Sequence, residues 1–337
     1  MKRTVIVLAA LLSLAGCTEK RHEEKQVSNS TIEKTTHCIG HSLVDFPADF
    51  YLVDGSSGSF LPPDVPETGD QIDVTLLATN SSEQAFAKTL VERKSALLKE
   101  AWANTNRVSA DRQISPVAHL FTINVINESH RSELLVLLGN NIVQLTTDSY
   151  ENTFAAAERR LTDFLANMKT GAGASRGDGG YCMGDVLING KYKRESSQAH
   201  FRSDKVAGVV FGIEYDTFAP DESKSLLQRV EGPDSLLKKF DVKSHVLRKG
   251  ELQIASMKAQ EWLSWVVLGD GDYKEKQFAF ALETMRPVPS PAQPRILLEL
   301  DSGKPDKNGE KVASTLLDAD ATALWDVVSR SIRSRLP

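Results

Sequence analysis

Cysteine is nearly absent: the 337-residue chain has three, too few for a fold held together mainly by disulfides. Neither charge sign dominates, with 40 Lys and Arg against 45 Asp and Glu and a net charge of −5. A nucleic-acid binder needs a concentrated basic surface to displace counterions, and no such cluster exists here. Local catalytic signatures are missing too. There is no Gly-x-Ser-x-Gly elbow, His-Glu-x-x-His pair, phosphate-cradling Gly-Lys-Ser/Thr loop or dinucleotide fingerprint. The seven histidines are scattered, and on a strand His37 and His41 would stand about 13 Å apart, too far to share a metal ion. No enzymatic activity and no cofactor are therefore expected. The remainder is ordinary: 25% charged and 41% hydrophobic residues describe a globular chain, and the length suggests two domains.

The N-terminus reads as an export signal. Lys2 and Arg3 precede the apolar run from Val5 to Leu12, which is far shorter than the ~20 residues of a membrane-spanning helix. It leads into Leu14-Ala15-Gly16-Cys17, which resembles a bacterial lipobox. Residues 1–17 are thus expected to be a lipoprotein signal, cut before Cys17, whose thiol then carries lipid. Loss of Lys2 and Arg3 leaves 38 basic against 45 acidic residues, a charge of −7. Thr18 follows the cysteine where inner-membrane lipoproteins usually have Asp, so the expected location is the periplasmic side of the outer membrane. Polar residues 18–36 suit a flexible tether.

Residues 169–180, rich in glycine and small side chains, read as a linker between an N-terminal domain (37–168) and a C-terminal one (181–337). The two openings match: Cys38-Ile39-Gly40-His41-Ser42-Leu43-Val44-Asp45 and Cys182-Met183-Gly184-Asp185-Val186-Leu187-Ile188-Asn189 share Cys, Gly and Leu in register. Strands are expected over 71–79, 118–126, 133–138, 142–147, 206–215, 244–256, 261–268 and 277–283. Helices are expected over 81–102, 151–168, 222–230 and 322–332. In the first, Ser81 and Gln84 have capping-box spacing, and Phe86, Leu90, Val91, Leu97, Leu98 and Trp102 form the apolar arc. Runs of neighbouring strands with two helices per half predict an α+β fold of two related tandem domains. Each would be a mostly antiparallel sheet with helices packed on one face. Cys38 and Cys182 either pair in a disulfide across these halves or are two separately buried thiols. Gly269-Asp270-Gly271-Asp272 reads as a tight turn whose carboxylates, Asp270 and Asp272, are free to touch a partner. Gly55 to Ser59 has the composition of a mobile loop.

The segments His37 to Pro47 and Gly180 to Asp185 resemble the domain openings of immunity proteins that neutralise lipase effectors of the bacterial type VI secretion system. Relatives carry Arg after the Cys-x-Gly glycine where this chain has His41. The resemblance covers the whole body after the tether. It implies a protein that is monomeric when free and grips a toxic phospholipase between two domains so that its lid or active site is blocked, with no catalytic residue of its own. The acidic balance suits a basic partner surface. The stretch Asp54 to Asp70 then offers apolar anchors, Phe60 and Leu61, beside acidic rim residues, Asp64 and Glu67; a structureless surface loop is the competing reading. A lipoprotein that binds lipid or envelope components is the competing function.

Overall fold

The computed structural model describes residues 32–336 apart from 67–68, 100–107, 126–127, 151, 172–178, 219–223, 234, 240–241, 269–274, 286–289, 306–308 and 311. The signal segment, Cys17, most of the tether, Trp102 and the centre of the 169–180 linker lie outside the described residues.

The first half runs β1 (Lys34–Gly40), β2 (Ser42–Pro47), β3 (Phe50–Leu52), β4 (Ser56–Leu61), β5 (Ile72–Ala78), α1 (Glu83–Lys99), β6 (Val108–Ser115), β7 (Ala118–Asn124), β8 (Ser129–Leu138), β9 (Asn141–Tyr150), α2 (Phe154–Ala166) and β10 (Met168–Thr170). The second runs β11 (Tyr181–Met183), β12 (Val186–Ile188), β13 (Arg194–Ser203), β14 (Val210–Asp216), α3 (Leu226–Glu231), α4 (Leu236–Lys239), β15 (Ser244–Ile254), β16 (Met257–Leu268), β17 (Glu275–Thr284), β18 (Arg295–Asp301), α5 (Asp318–Ser329) and β19 (Arg333–Ser334). Hairpin, strands, helix, meander, helix and closing strand follow in the same order twice.

Both sheets are shared by the halves. A thirteen-stranded sheet has the order β15-β16-β17-β18-β14-β13-β4-β5-β9-β8-β7-β6, with β3 also paired to β13. A six-stranded sheet has the order β10-β12-β11-β1-β2-β19. Every pairing among the described residues is antiparallel, as expected of this α+β fold. In the small sheet the closing strands are exchanged: β10 of the first half pairs with β12 of the second, and β19 pairs with β2. At its centre Ile39 faces Met183 and Gly40 faces Cys182, while Gly184 N donates to Cys38 O. The two Cys-x-Gly openings therefore meet around an approximate two-fold axis. Gly40 and Gly184 turn their hairpins at φ +60° and +62°, a region glycine enters without a Cβ penalty.

Strand alternation sorts the helices. Leu120, Leu134, Val136 and Leu145 point inward to α2, through Leu161 and Phe164, and to the small sheet. Their neighbours Phe121, Leu135 and Leu137 point outward to Phe86 and Leu97 of α1. The second half repeats this. Glu261 meets Trp325 of α5, whereas the next residue back, Gln260, accepts from Leu227 N of α3. So α2 and α5 share the inner face, and α1 and α3 lie on the outer one, which corrects the expectation of helices on one face only. The α1 arc also needs correction: Val91 and Leu98 are exposed, at 69% and 58%. Ser82, not Ser81, caps this helix, its Oγ accepting from Ala85 N.

The largest departure is β4. Ser56-Ser57-Gly58-Ser59-Phe60-Leu61 is a central strand pairing with β13 and β5, not a loop. Its small residues suit the site, because a Cβ on Gly58 would lie 2.7 Å from Ser196 O and 3.1 Å from Met183 Sδ. Strands β13 and β18, invisible to the sequence reading, complete the middle of the sheet.

Candidate partner-binding surface

The residues expected to meet a partner do not converge. Phe60 and Leu61 are 0% and 2% exposed. The Phe60 ring packs against Phe164, Tyr181 and Tyr192. Both are buried and are withdrawn as anchors: Phe60 points into the inner core, and Leu61, on the opposite side of the strand, is covered as well. The following segment is pinned rather than structureless: Val65 is buried, and its carbonyl accepts from Lys193 Nζ at 2.7 Å. Asp64 is exposed and ion-paired with Arg160 at 3.4 Å. Glu67, Asp270 and Asp272 lie outside the described residues, as does the lipidation residue Cys17.

Around the two-fold axis, buried polar groups bind the halves together. Cys38 and Cys182 form a disulfide, their Cα atoms 5.5 Å apart. It is packed with Leu43 and Leu187 and covered by Arg335, whose Nη1 lies 2.9 Å from Cys182 Sγ and from Gly180 O. His41 Nε2 meets Glu195 Oε2 at 2.8 Å with both residues about 5% exposed. Tyr181 donates to Ser197 Oγ at 2.6 Å, and burial drives its phenol pKa well above 10. His37 lies edge-on to Phe46 and Phe201, with ring centroids 5.7 and 4.9 Å away.

Burial lowers the pKa of His37 below 6.5, with Asp45 opposing in part. The unfolded chain binds this proton near pH 6.5 and the folded chain only at lower pH. The stabilisation from neutral His37 is thus complete above that value and declines as pH falls below it. Denaturant titrations at pH 7.5 and 5.5 should show a loss of stability that is smaller in His37→Phe. Equal losses in the two proteins would refute this assignment.

The outer face of the middle strands is different. Helix α1 packs on β8 and α3 on β16. Among the described residues no helix packs on the outer side of β4, β13, β14 and β18 between them, and on β5 and β9 helix α1 reaches only the ends at Leu77–Ala78 and Ile142. This floor is polar and mostly half-buried or exposed. Across three of its strands and β17, His200, Gly212, Glu299 and Ala281 stand side by side. Glu299 is half-buried, and burial followed by the charges of Asp301 and Glu214 raises its pKa to about 7. Burial, with Arg202 next, lowers that of His200. Sequence reading placed β5, β9 and β14 but missed β4, β13 and β18, and with them the floor as a surface. Its one signal was the alternation in Glu195-Ser-Ser-Gln-Ala-His-Phe-Arg-Ser203, obscured by small polar side chains.

No described histidine ring is hydrogen-bonded to a serine or threonine hydroxyl; the ring partners are Glu195, Asp111 and Asn124. Among the described residues there is no cluster of three or more metal-ligating side chains, and no helix long and apolar enough to cross a membrane.

Residues 177–337 match the family model described as the Tle cognate immunity protein 4 C-terminal domain. This part of the chain belongs to that immunity-protein family. The resemblance drawn from the two Cys-x-Gly openings is borne out. Solved structures extend the likeness in fold to nearly the whole body. One is the apo structure of the immunity protein TplEi of the type VI secretion system from Pseudomonas aeruginosa, 18% identical, with a TM-score of 0.63 over 90% of this chain and 97% of that one. A chain of the Tle4–Tli4 complex is 20% identical, with the same score and coverage. TplEi with the "L" peptide bound is 19% identical at a TM-score of 0.58, covering 90% of this chain and 98% of that one. No curated protein sequence matches with significance.

Proposed function

We propose that this chain is an immunity protein that binds a lipase effector of the type VI secretion system in the periplasm and holds it inactive. The match of residues 177–337 to the Tle cognate immunity protein 4 family carries the reading. The likeness in fold to a chain of the Tle4–Tli4 complex supports it. In this reading the protein makes and breaks no bond. It blocks the lid or active site by gripping the effector with both halves, 37–168 and 181–337, and it is a monomer when free. A protein of this kind needs a rigid body with an accessible face, and the fused sheets and buried axis pairs supply the rigidity.

The reading includes an anchor. Cleavage before Cys17 and acylation there would tether the body through residues 18–36 to the outer membrane, close to the lipids under attack. More than one acyl chain is needed for stable anchoring, since a single one gives marginal binding. Cys17→Ser should move the protein from the membrane to the soluble periplasmic fraction and leave inhibition by the purified protein unchanged. Retention in washed membranes would refute the anchor. The function as a whole is tested by phospholipid hydrolysis with the effector encoded beside this chain, together with gel filtration of the mixture.

A further inference from the structure

We propose that the effector docks on the open outer face of β9, β5, β4, β13, β14 and β18, and that it presents a basic surface there. The proposal rests on the reading above that the chain binds an effector, and adds where and with what chemistry.

The inner face of this sheet is covered by the small sheet, α2 and α5, and its wings are covered on the outside by α1 and α3. Among the described residues the middle, apart from the Leu77–Ala78 and Ile142 ends under α1, has no helix over it. Six strands at ~4.8 Å spacing make a floor about 29 Å wide, and seven residues per strand make it about 23 Å long, an area on the order of 600 Å². A specific interface needs about 800 Å² per partner, which the floor and the adjoining walls of the two helices can provide. The face crosses the two-fold axis between β4 and β13, so a partner seated on it touches both halves at once.

Charge selects the partner. Glu214, Glu299 and Asp301 stand together on β14 and β18. The neighbouring cations are committed: Arg295 donates to Glu283 at 2.7 Å, and Lys304 pairs with Asp301 at 3.1 Å. Among the described residues no donor hydrogen-bonds the Glu299 carboxylate. Glu299 is flanked in its row by Gly212 and Ala281, which have little or no side chain. A Cβ added at Gly212 would sit in ordinary contact, 3.7 Å from the His200 ring and 3.9 Å from the Glu299 carboxylate, so both side chains lean toward the glycine. A long Lys or Arg side chain of the partner, reaching the edge of this carboxylate cluster, would supply the missing cation.

Gln198 and Glu214 are cross-strand neighbours near the middle of the face. The double variant Gln198→Arg/Glu214→Lys should bind the purified effector at least tenfold more weakly, through slower association and with a flattened dependence on salt. Asp163→Lys on α2, away from this face, should bind as the wild type does. Carbodiimide coupling of the unmodified complex provides the check that does not depend on a variant folding. It should join effector lysines to Glu214, Glu299 or Asp301. A double variant that binds within threefold of wild type, or couplings confined to carboxylates elsewhere, would overturn the docking face while leaving the inhibitor reading intact. A wild-type protein that binds no effector would overturn both.

Discussion

Cys38→Ala/Cys182→Ala should lose about 2–5 kcal/mol of unfolding free energy. The bond closes a loop with a sequence separation of 144, and chain-entropy reasoning puts such a long loop near the upper end of that range. Position adds to length. The disulfide joins β1 to β11, the central one of the three junctions at which the small sheet passes between the halves, and alanine would also empty part of the Leu43–Leu187 cluster. Equilibrium denaturation of the variant and of reduced wild type should give similar midpoints, both well below that of the oxidised protein. A loss under about 1 kcal/mol would mean that the exchanged strands and both sheets hold the halves together without the covalent link. The bond also suits an oxidising compartment, where it would persist.

His41→Ala should cost about 3–5 kcal/mol, because it leaves the Glu195 carboxylate buried beside a cavity with its partner gone. Glu195 sits on β13, directly across from Phe60 of β4, so the damage falls on the junction of the large sheet. Adding Glu195→Gln to His41→Ala should recover part of the loss, since a neutral amide is cheaper to bury than an unpaired charge. If the double variant is less stable than the single one by a full additive amount, the two residues are not coupled and the pair is incidental. The His41–Glu195 contact locks the opening hairpin of the first half to β13 of the second.

Much of the fold was legible where the signal is local. Strands β7, β8 and β9 alternate strongly and are joined by short turns, and α1 and α2 carry helical periodicity, so each was found within a few residues of its observed bounds. The matching openings were legible too, as an echo between residues 38–45 and 182–189. What stayed hidden depends on partners distant in sequence. Strand β4 is made of serine and glycine, residues poor in strand propensity, and it exists because β13 and β5 flank it. Phe60 and Leu61 read as exposed anchors for the same reason: Pro62 and Pro63 beside them suggest a loop, and only the pairing with residues 194–195 reveals that they are core. The exchange of β10 and β19 leaves no trace in either segment, each of which is three residues or fewer. The docking face was illegible because Gln198, Gly212 and Glu299 come from three separate strands and meet only through sheet register.

The central claim is that this protein silences a lipase by occupying its surface. Phospholipid hydrolysis by the neighbouring effector, measured against rising concentrations of this protein, tests it most directly. Activity should fall to background at a one-to-one ratio, with a single co-eluting complex on gel filtration and no hydrolysis by the protein alone. Full activity at excess protein, or ester turnover by this chain by itself, would contradict it.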